Sequence, residues 1–256
     1  MFPLNKVAMM QPTFLPWIGY FELIYKSDIF VFCDDFQFVS KSYHQKNKLF
    51  LSKNVVTDIT VPVQKKGNYG KNINEIEIRE DLDWRKKFWK GFELNYKKAP
   101  FFEEYSRILK PLLVEPQYNL AKQNIALITA IADIIGLKRK FICSSELHGT
   151  GTKSNLVKSL LEEINADEFY QAHGSFDYMY EDGVFPLDNI HTYFQNAELD
   201  AYPQQSSTKG FVPYLSIVDA LFNVGAEATL ELVKNTTKHW LSWDEIVTLE
   251  KGKDAL

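Results

Sequence analysis

Cysteine, histidine and long apolar runs are scarce in this chain. Two Cys and five scattered His among 256 residues leave no spacing suited to a zinc site. Cys33 and Cys143 each fall in an apolar, strand-like run, where a small buried hydrophobe is expected rather than a disulfide or a redox centre. No stretch approaches the roughly 18 consecutive apolar residues of a membrane span, and the opening MFPLNKV lacks the charged, apolar and small-residue order of a secretory leader. A cytoplasmic chain without a membrane span is therefore expected. Excess positive charge is missing too: 29 Lys and Arg against 33 Asp and Glu give a net charge of −4. That balance argues against nucleic acid as a partner and leaves only local basic patches for phosphates. Repeats, low-complexity tracts and a dividing linker are also absent, so residues 1–235 are expected as one α/β domain and 236–256 as a C-terminal tail.

What the chain does have is apolar patterning, 45% hydrophobic and 14% aromatic, enough for a sizeable core. Lys6 to Met10, the helical spacing of Ile18 to Tyr25 and the run DIFVFC read as strand, helix, strand. Such a unit makes a parallel sheet, whose ligands sit outside the C-terminal strand ends; residues 11–17 and 34–48 fall there. Residues 49–116 form an excursion with DITVPV and the alternating INEIEI as strands around the turn-rich QKKGNYGKN. A helix capped by Asp83 follows, with Trp84, Phe88 and Phe92 on one face, then a helix from 101 that stops at Pro111. Residues 118–135 form an apolar helix ended by Gly136. KFICSS, DEFYQA and NIHTYFQN are further strands, separated by the helix NLVKSLLEEI. SIVDALFNVG running into AEATLELVK makes the last helix.

Four stretches carry candidate chemistry. In QPTFLPWIGYF, residues 11–21, Gln11 and the amides before the helix face the strand ends, two prolines stiffen the turn, and Gly19 lets the helix pack closely on the strand. In DDFQFVSKSYHQKNK, residues 34–48, Asp34 and Asp35 suit a ribose, an amine or a metal, Gln37 adds an amide, and Lys41, His44, Lys46 and Lys48 suit phosphate oxygens. In SSELHGTGTKS, residues 144–154, Gly149 and Gly151 let the backbone turn its amides toward an anion and Lys153 and Ser154 open the next helix, although the Walker A spacing is not met. In the fourth, Tyr202, Gln204 and Asn223 are polar residues in apolar surroundings, while Ser216 and Asp219 resemble a capping box.

Taken in order, QPTFLPWIGYF, DIFVFCDDFQF, HQKNK, SSEL, YPQ and F-x-P-x-LS-x-x-D-x-LFN-x-G resemble the WbqC-like family of bacterial proteins, from about Met10 to Gly225. That resemblance implies an association with O-antigen and other surface polysaccharides. The opening also resembles pantothenate synthetase-like nucleotidylyltransferases, which implies a Rossmann-like parallel sheet of that fold with a small helical and β excursion. Trp17 and Tyr20 stand where those enzymes carry two histidines, so adenylyl transfer would need other groups.

The expectation drawn from residues and resemblance is a transferase or ligase acting on an amino sugar or nucleotide sugar. The reaction class is nucleotide-dependent acyl or aminoacyl transfer forming an amide, with ATP or another nucleotide and Mg2+ as cofactors. His44, Asp35 and Lys46 are the catalytic candidates. Gln11, Trp17, Tyr20, Asp34, Gln37, Tyr202, Gln204 and Asn223 are the substrate-binding candidates, for a nucleotide, an amino sugar or an amino acid. Lys41, Lys48, Gly151, Lys153 and Ser154 are assigned to phosphates, and no metal ligands are assigned. The rival expectations are a nucleotide- or sugar-binding accessory protein without turnover and a nucleotidyltransferase with substituted catalytic groups; an oligomer is compatible with all three.

Overall fold

A computed structural model describes residues 4–64 and 67–254. Lys65 and Lys66, in the expected turn-rich connector, lie outside it, as do the last two residues of the expected tail. The expected apolar strands form: β1 (Lys6–Met10), β2 (Ile29–Phe32), β5 (Lys140–Cys143), β6 (Glu168–Gln171) and β7 (His191–Phe194). All five run parallel, and the two-residue β8 (Leu241–Ser242) closes the β7 edge antiparallel, in the order β5-β2-β1-β6-β7-β8. The register places Ala8 beside both Phe30 and Tyr170. The protein is a mixed α/β fold with a mostly parallel central sheet.

Alternation along each strand divides the core between two faces. Ala8, Phe30, Phe32 and Tyr170 pack with α1 (Ile18–Lys26), α4 (Leu120–Ile134) and α7 (Ile217–Asn235) on one side. Val7, Met9, Val31, Cys33 and Phe169 pack on the other with α5 (Lys153–Glu163), α6 (Phe176–Asp182) and α8 (Trp243–Asp254). Because Phe32 pairs with Cys143, the two free cysteines point into opposite cores. Residues 236–254, expected as a tail, instead supply β8 and α8, and Trp243 packs on Phe176, Phe185 and Phe194.

The excursion differs from expectation in four places. β3 (Lys46–Ser52) and β4 (Val55–Thr60) make a separate antiparallel hairpin. INEIEI is not a strand: residues Ile73–Glu75 form a 3-10 turn and only isolated bridges follow, although Ile73, Ile76 and Ile78 are all buried. Asp83 precedes α2 (Trp84–Tyr96) without capping it through its side chain. The helix α3 (Phe102–Val114) continues through Pro111, because the fully buried Leu109 and Leu113, four residues apart, hold its last turn in the core. Gly136 does end the α4 segment, at φ 78°.

Candidate functional site

Between β1 and β6 the chain order of the sheet reverses: the strand after β1 lies on one side and β6 on the other. At such a switch point the connections leave in opposite directions and open a crevice beyond the strand ends. Two chambers occupy that crevice and share Met10 and Gln11 at the end of β1. The inner one, 240 Å³, is bounded by Met9, Cys33, Phe36, Lys153, Val157, Gln171, Ser175 and Tyr178. The outer one, 440 Å³, is walled by Trp17, Tyr20, Tyr43, Tyr214 and His44 and carries no charged lining residue at neutral pH. A larger groove of 820 Å³ lies elsewhere, along the bend of α7 at Gly225, away from the strand ends.

The 11–17 loop is fixed from three sides. Asn124 donates to Pro12 O at 2.9 Å and to His44 O at 2.8 Å, tying the loop to the 34–45 segment. Asn47 donates to Phe14 O and Leu15 O at 3.1 and 2.8 Å, holding Leu15 at φ 44°. The amide of Ile217, at the start of α7, donates to Pro16 O at 2.9 Å. Non-glycine residues rarely adopt positive φ, and such strain persists where surrounding structure over-determines it. Leu15, Lys41 and Tyr214, on the loops around this crevice, and Lys153, the first residue of α5, stand at φ 44°, 61°, 60° and 50°.

Gly19 has a different role from the one expected. Instead of bringing the helix onto the strand, it gives room to the Trp17 indole: a Cβ at residue 19 would lie 2.3 Å from two ring carbons. Trp17 in turn meets the half-exposed Tyr214 ring edge-on at 5.4 Å, and the pair separates the outer chamber from a recess at His173 and Gln195. Gly19→Ala is expected to drive Trp17 off its seat at a cost of about 1–3 kcal/mol. Chemical denaturation would measure that cost, and unchanged stability with unchanged Trp fluorescence would contradict this packing.

His44 lines the outer chamber with a defined protonation. Burial lowers its pKa from 6.5 to about 4, and its Nδ1 accepts the Val39 amide at 3.2 Å. A neutral ring whose Nδ1 accepts carries its proton on Nε2, so the nitrogen without a partner among the described residues is a hydrogen-bond donor. The Gln11 side chain likewise has no hydrogen-bond partner among the described residues, while Gln11 O accepts the Tyr20 hydroxyl at 3.2 Å. Gln11, Trp17, Tyr20 and His44 are thus brought together.

The other expected residues stand apart from the two chambers, with the exception of Lys153. Asp34 accepts from the Ser145 amide and hydroxyl at 3.1 and 2.8 Å and from Ser144 and Asn74, and Asp35 accepts from the Ser144 hydroxyl. Both carboxylates clasp the end of β5 to the end of β2. Lys46 pairs with Asp58 across the β3–β4 hairpin at 3.3 Å; Gln37, Lys41 and Lys48 are exposed. Tyr202 and Gln204 donate to Asp219 at 2.9 and 3.0 Å, and Asn223 donates to Asp219 O. The Asp219 carboxylate serves this cluster and not a capping box with Ser216.

The 144–154 loop turns at Gly151, φ 91°, and Lys153 reaches the inner chamber. At the start of α5, however, the anion is the protein's own: Asp182 accepts from the Ser154 amide and hydroxyl at 3.3 and 2.9 Å and pairs with Lys153 at 3.2 Å. These donors, Ser154 first, hold the Asp182 carboxyl below its usual pKa. Sequence reasoning missed Gln171, Ser175, Tyr178, Asp182 and Tyr214. Gln171 was findable, because it ends a buried strand as Gln11 does.

Sheet order, crevice and loop strain together define a mostly parallel α/β protein with a cleft at its switch point. The chain belongs to the WbqC-like protein family, whose profile matches residues 11–231. It is similar to the uncharacterized protein Rv1507c of Mycobacterium tuberculosis, 34% identical over 226 residues, which span 88% of this chain and 96% of that one. No solved structure matches it. No helix among the described residues is long and apolar enough to cross a membrane.

Proposed function

We propose that the protein is an enzyme of surface-polysaccharide assembly that forms an amide on an amino sugar or its nucleotide conjugate by nucleotide-dependent acyl transfer. The observation that carries this reading is the pair of free neutral groups, His44 Nε2–H and the Gln11 carboxamide, in an uncharged chamber that shares Gln11 with the chamber lined by Lys153. Activation joins a carboxylate oxygen to a nucleotide phosphorus as a phosphoanhydride bond breaks and releases pyrophosphate or the nucleoside diphosphate. The amine then forms the C–N bond, expels the phosphate from the carbonyl carbon and passes its proton to that departing phosphate. Negative charge builds on the acyl oxygen meanwhile, and fixed neutral donors stabilise it without reorganisation. A neutral imidazole is suited to such electrophilic work, as a buried histidine that stays uncharged elsewhere illustrates. Lys153 and the amide and hydroxyl of Ser154 would hold phosphate oxygens, with Mg2+ neutralising the remainder, once Asp182 releases them.

Thermal-shift titration against ATP, CTP and nucleotide sugars with Mg2+ tests the reading. A ligand at a hundred times its dissociation constant stabilises by about 2.7 kcal/mol, so a rise of several degrees is expected for at least one of them and a smaller one in Lys153→Ala. In a turnover assay, His44→Ala is expected to lose about 10²–10³-fold in kcat. No shift with any nucleotide would remove the nucleotide from the mechanism, and full activity in His44→Ala would remove the imidazole.

A further inference from the structure

The inner chamber has a chemistry of its own. Gln171, at the C-terminal end of β6, is 3% exposed, and its Oε1 accepts the Ser175 hydroxyl at 2.9 Å. That bond fixes which way the carboxamide points. The end left without a partner among the described residues is the Nε2 amide, a donor lining the cavity. Gln11 adds a second free carboxamide across the β1–β6 crevice, and Lys153 adds the only charged group of the lining, a cation. No carboxylate lines the chamber; Asp182 touches Lys153 from outside it. Tyr178 adds a hydroxyl beside Ser175, and Met9, Met10, Cys33, Phe36 and Val157 are apolar.

An amide N–H that lines a cavity without a protein acceptor is a donor that a ligand oxygen can engage. Free amide donors and a cation among apolar walls match an amphiphilic acid, and Lys153, with no carboxylate in the lining to offset it, disfavours an ammonium. The size is restrictive as well: benzene fits a cavity of about 150 Å³, so 240 Å³ takes a small ring or a short chain and excludes a nucleoside together with its phosphates.

We propose that this chamber is a seat for a small monocarboxylic acid with an uncharged, apolar tail, its carboxylate held by Gln171 Nε2, Gln11 and Lys153 and its tail against Met9, Phe36 and Val157. The seat rests on the acyl-transfer reading above, where it holds the acyl donor, with Lys153 between that carboxylate and the phosphates that activate it.

Sodium benzoate and sodium hexanoate, titrated by calorimetry into the nucleotide-free protein beside benzamide and benzylamine, test the seat. The acids are expected to saturate with one site per chain and benzylamine is expected not to bind. Gln171→Leu, which keeps the volume and removes the donor, is expected to weaken the acids by about tenfold or more, the scale of a hydrogen bond to a charged group. Lys153→Met should weaken benzoate by a similar factor and benzamide little. Val157→Phe fills the cavity; because it also strains the core, Ser175→Ala, on a half-buried turn, serves as the milder variant and is expected to weaken the acids by freeing the Gln171 amide to rotate. Absence of saturable acid binding to the wild type overturns the proposal. So does acid binding that Gln171→Leu and Ser175→Ala leave unchanged, or an equal loss of benzoate and benzamide in Lys153→Met. Acid binding is read without nucleotide, so acids that bind while nucleotides do not would sink the nucleotide-dependent step and leave the seat standing.

Discussion

Asp219→Ala is expected to destabilise the protein by about 3–5 kcal/mol, a large share of the 5–15 kcal/mol typical of a folded chain. Asp219 is fully buried, and burial raises its pKa, so its hydrogen bonds are what hold the carboxyl in place. Tyr96 Oη donates at 2.7 Å from α2, Tyr202 Oη at 2.9 Å and Gln204 Nε2 at 3.0 Å from the 202–215 loop. Truncation to Ala leaves these donors facing a void, and each unsatisfied buried polar group costs about 1–3 kcal/mol. Gln204 also exchanges two hydrogen bonds with Val212, at 2.9 and 2.8 Å, so the same substitution loosens the loop that delivers Tyr214 to the outer chamber. Urea denaturation measures the first effect and Trp17 fluorescence the second. A loss under about 1 kcal/mol, the scale of an ordinary surface change, would show that the cluster does not hold the loop.

The second large effect depends on pH. An unfolded histidine titrates near 6.5, whereas burial lowers His44 to about 4 in the folded protein. Below pH 6.5 the unfolded chain therefore takes up a proton that the folded chain refuses, so stability is complete above 6.5 and falls as the pH drops toward 4. At 1.36 kcal/mol per pH unit, the shift amounts to about 3 kcal/mol over that window. The buried carboxyls Glu22 and Asp219 work in the opposite sense: their pKa values are raised, so protonation favours the folded state as the pH falls. Denaturation at pH 7.5 and 4.5 separates these contributions, because His44→Gln abolishes only the histidine component. Parallel pH profiles for wild type and His44→Gln would show that the ring takes up its proton as readily in the native protein as in the unfolded chain.

Much of the fold was legible because buried strands advertise themselves locally. DIFVFC holds five consecutive apolar residues, KFICSS and DEFYQA hold the shorter runs FIC and FY, and a parallel sheet buries both faces. The excursion was less legible: INEIEI places its isoleucines for burial, but their partners, a turn and the segment before α4, are set by tertiary contacts. Gln11, Trp17, Tyr20 and His44 were found together because a stiff loop and a polar segment both follow strands. Asp34 looks the same in sequence whether it faces a ligand or the hydroxyl of Ser144, 110 residues away. Lys153 likewise reads as a free phosphate ligand until Asp182, 29 residues on, is seen beside it. Tyr214 gave no signal at all, since its place at the crevice depends on the α7 start pairing with the 11–17 loop through Trp17 and Ser216.

The position of β1 also bears on how the chain is made. It is an interior strand, flanked by β2 and β6, yet it is synthesised first, and β6 pairs with it only through residues 168–170. At about 5–20 residues per second, roughly 160 residues of translation leave that edge of β1 open for about 8–30 s. An apolar strand with one bare edge is a template for wrong pairing, and that edge stays open until β6 emerges. The cleft is finished later still, when α7 reaches the ribosome exit and brings Tyr214 over Trp17.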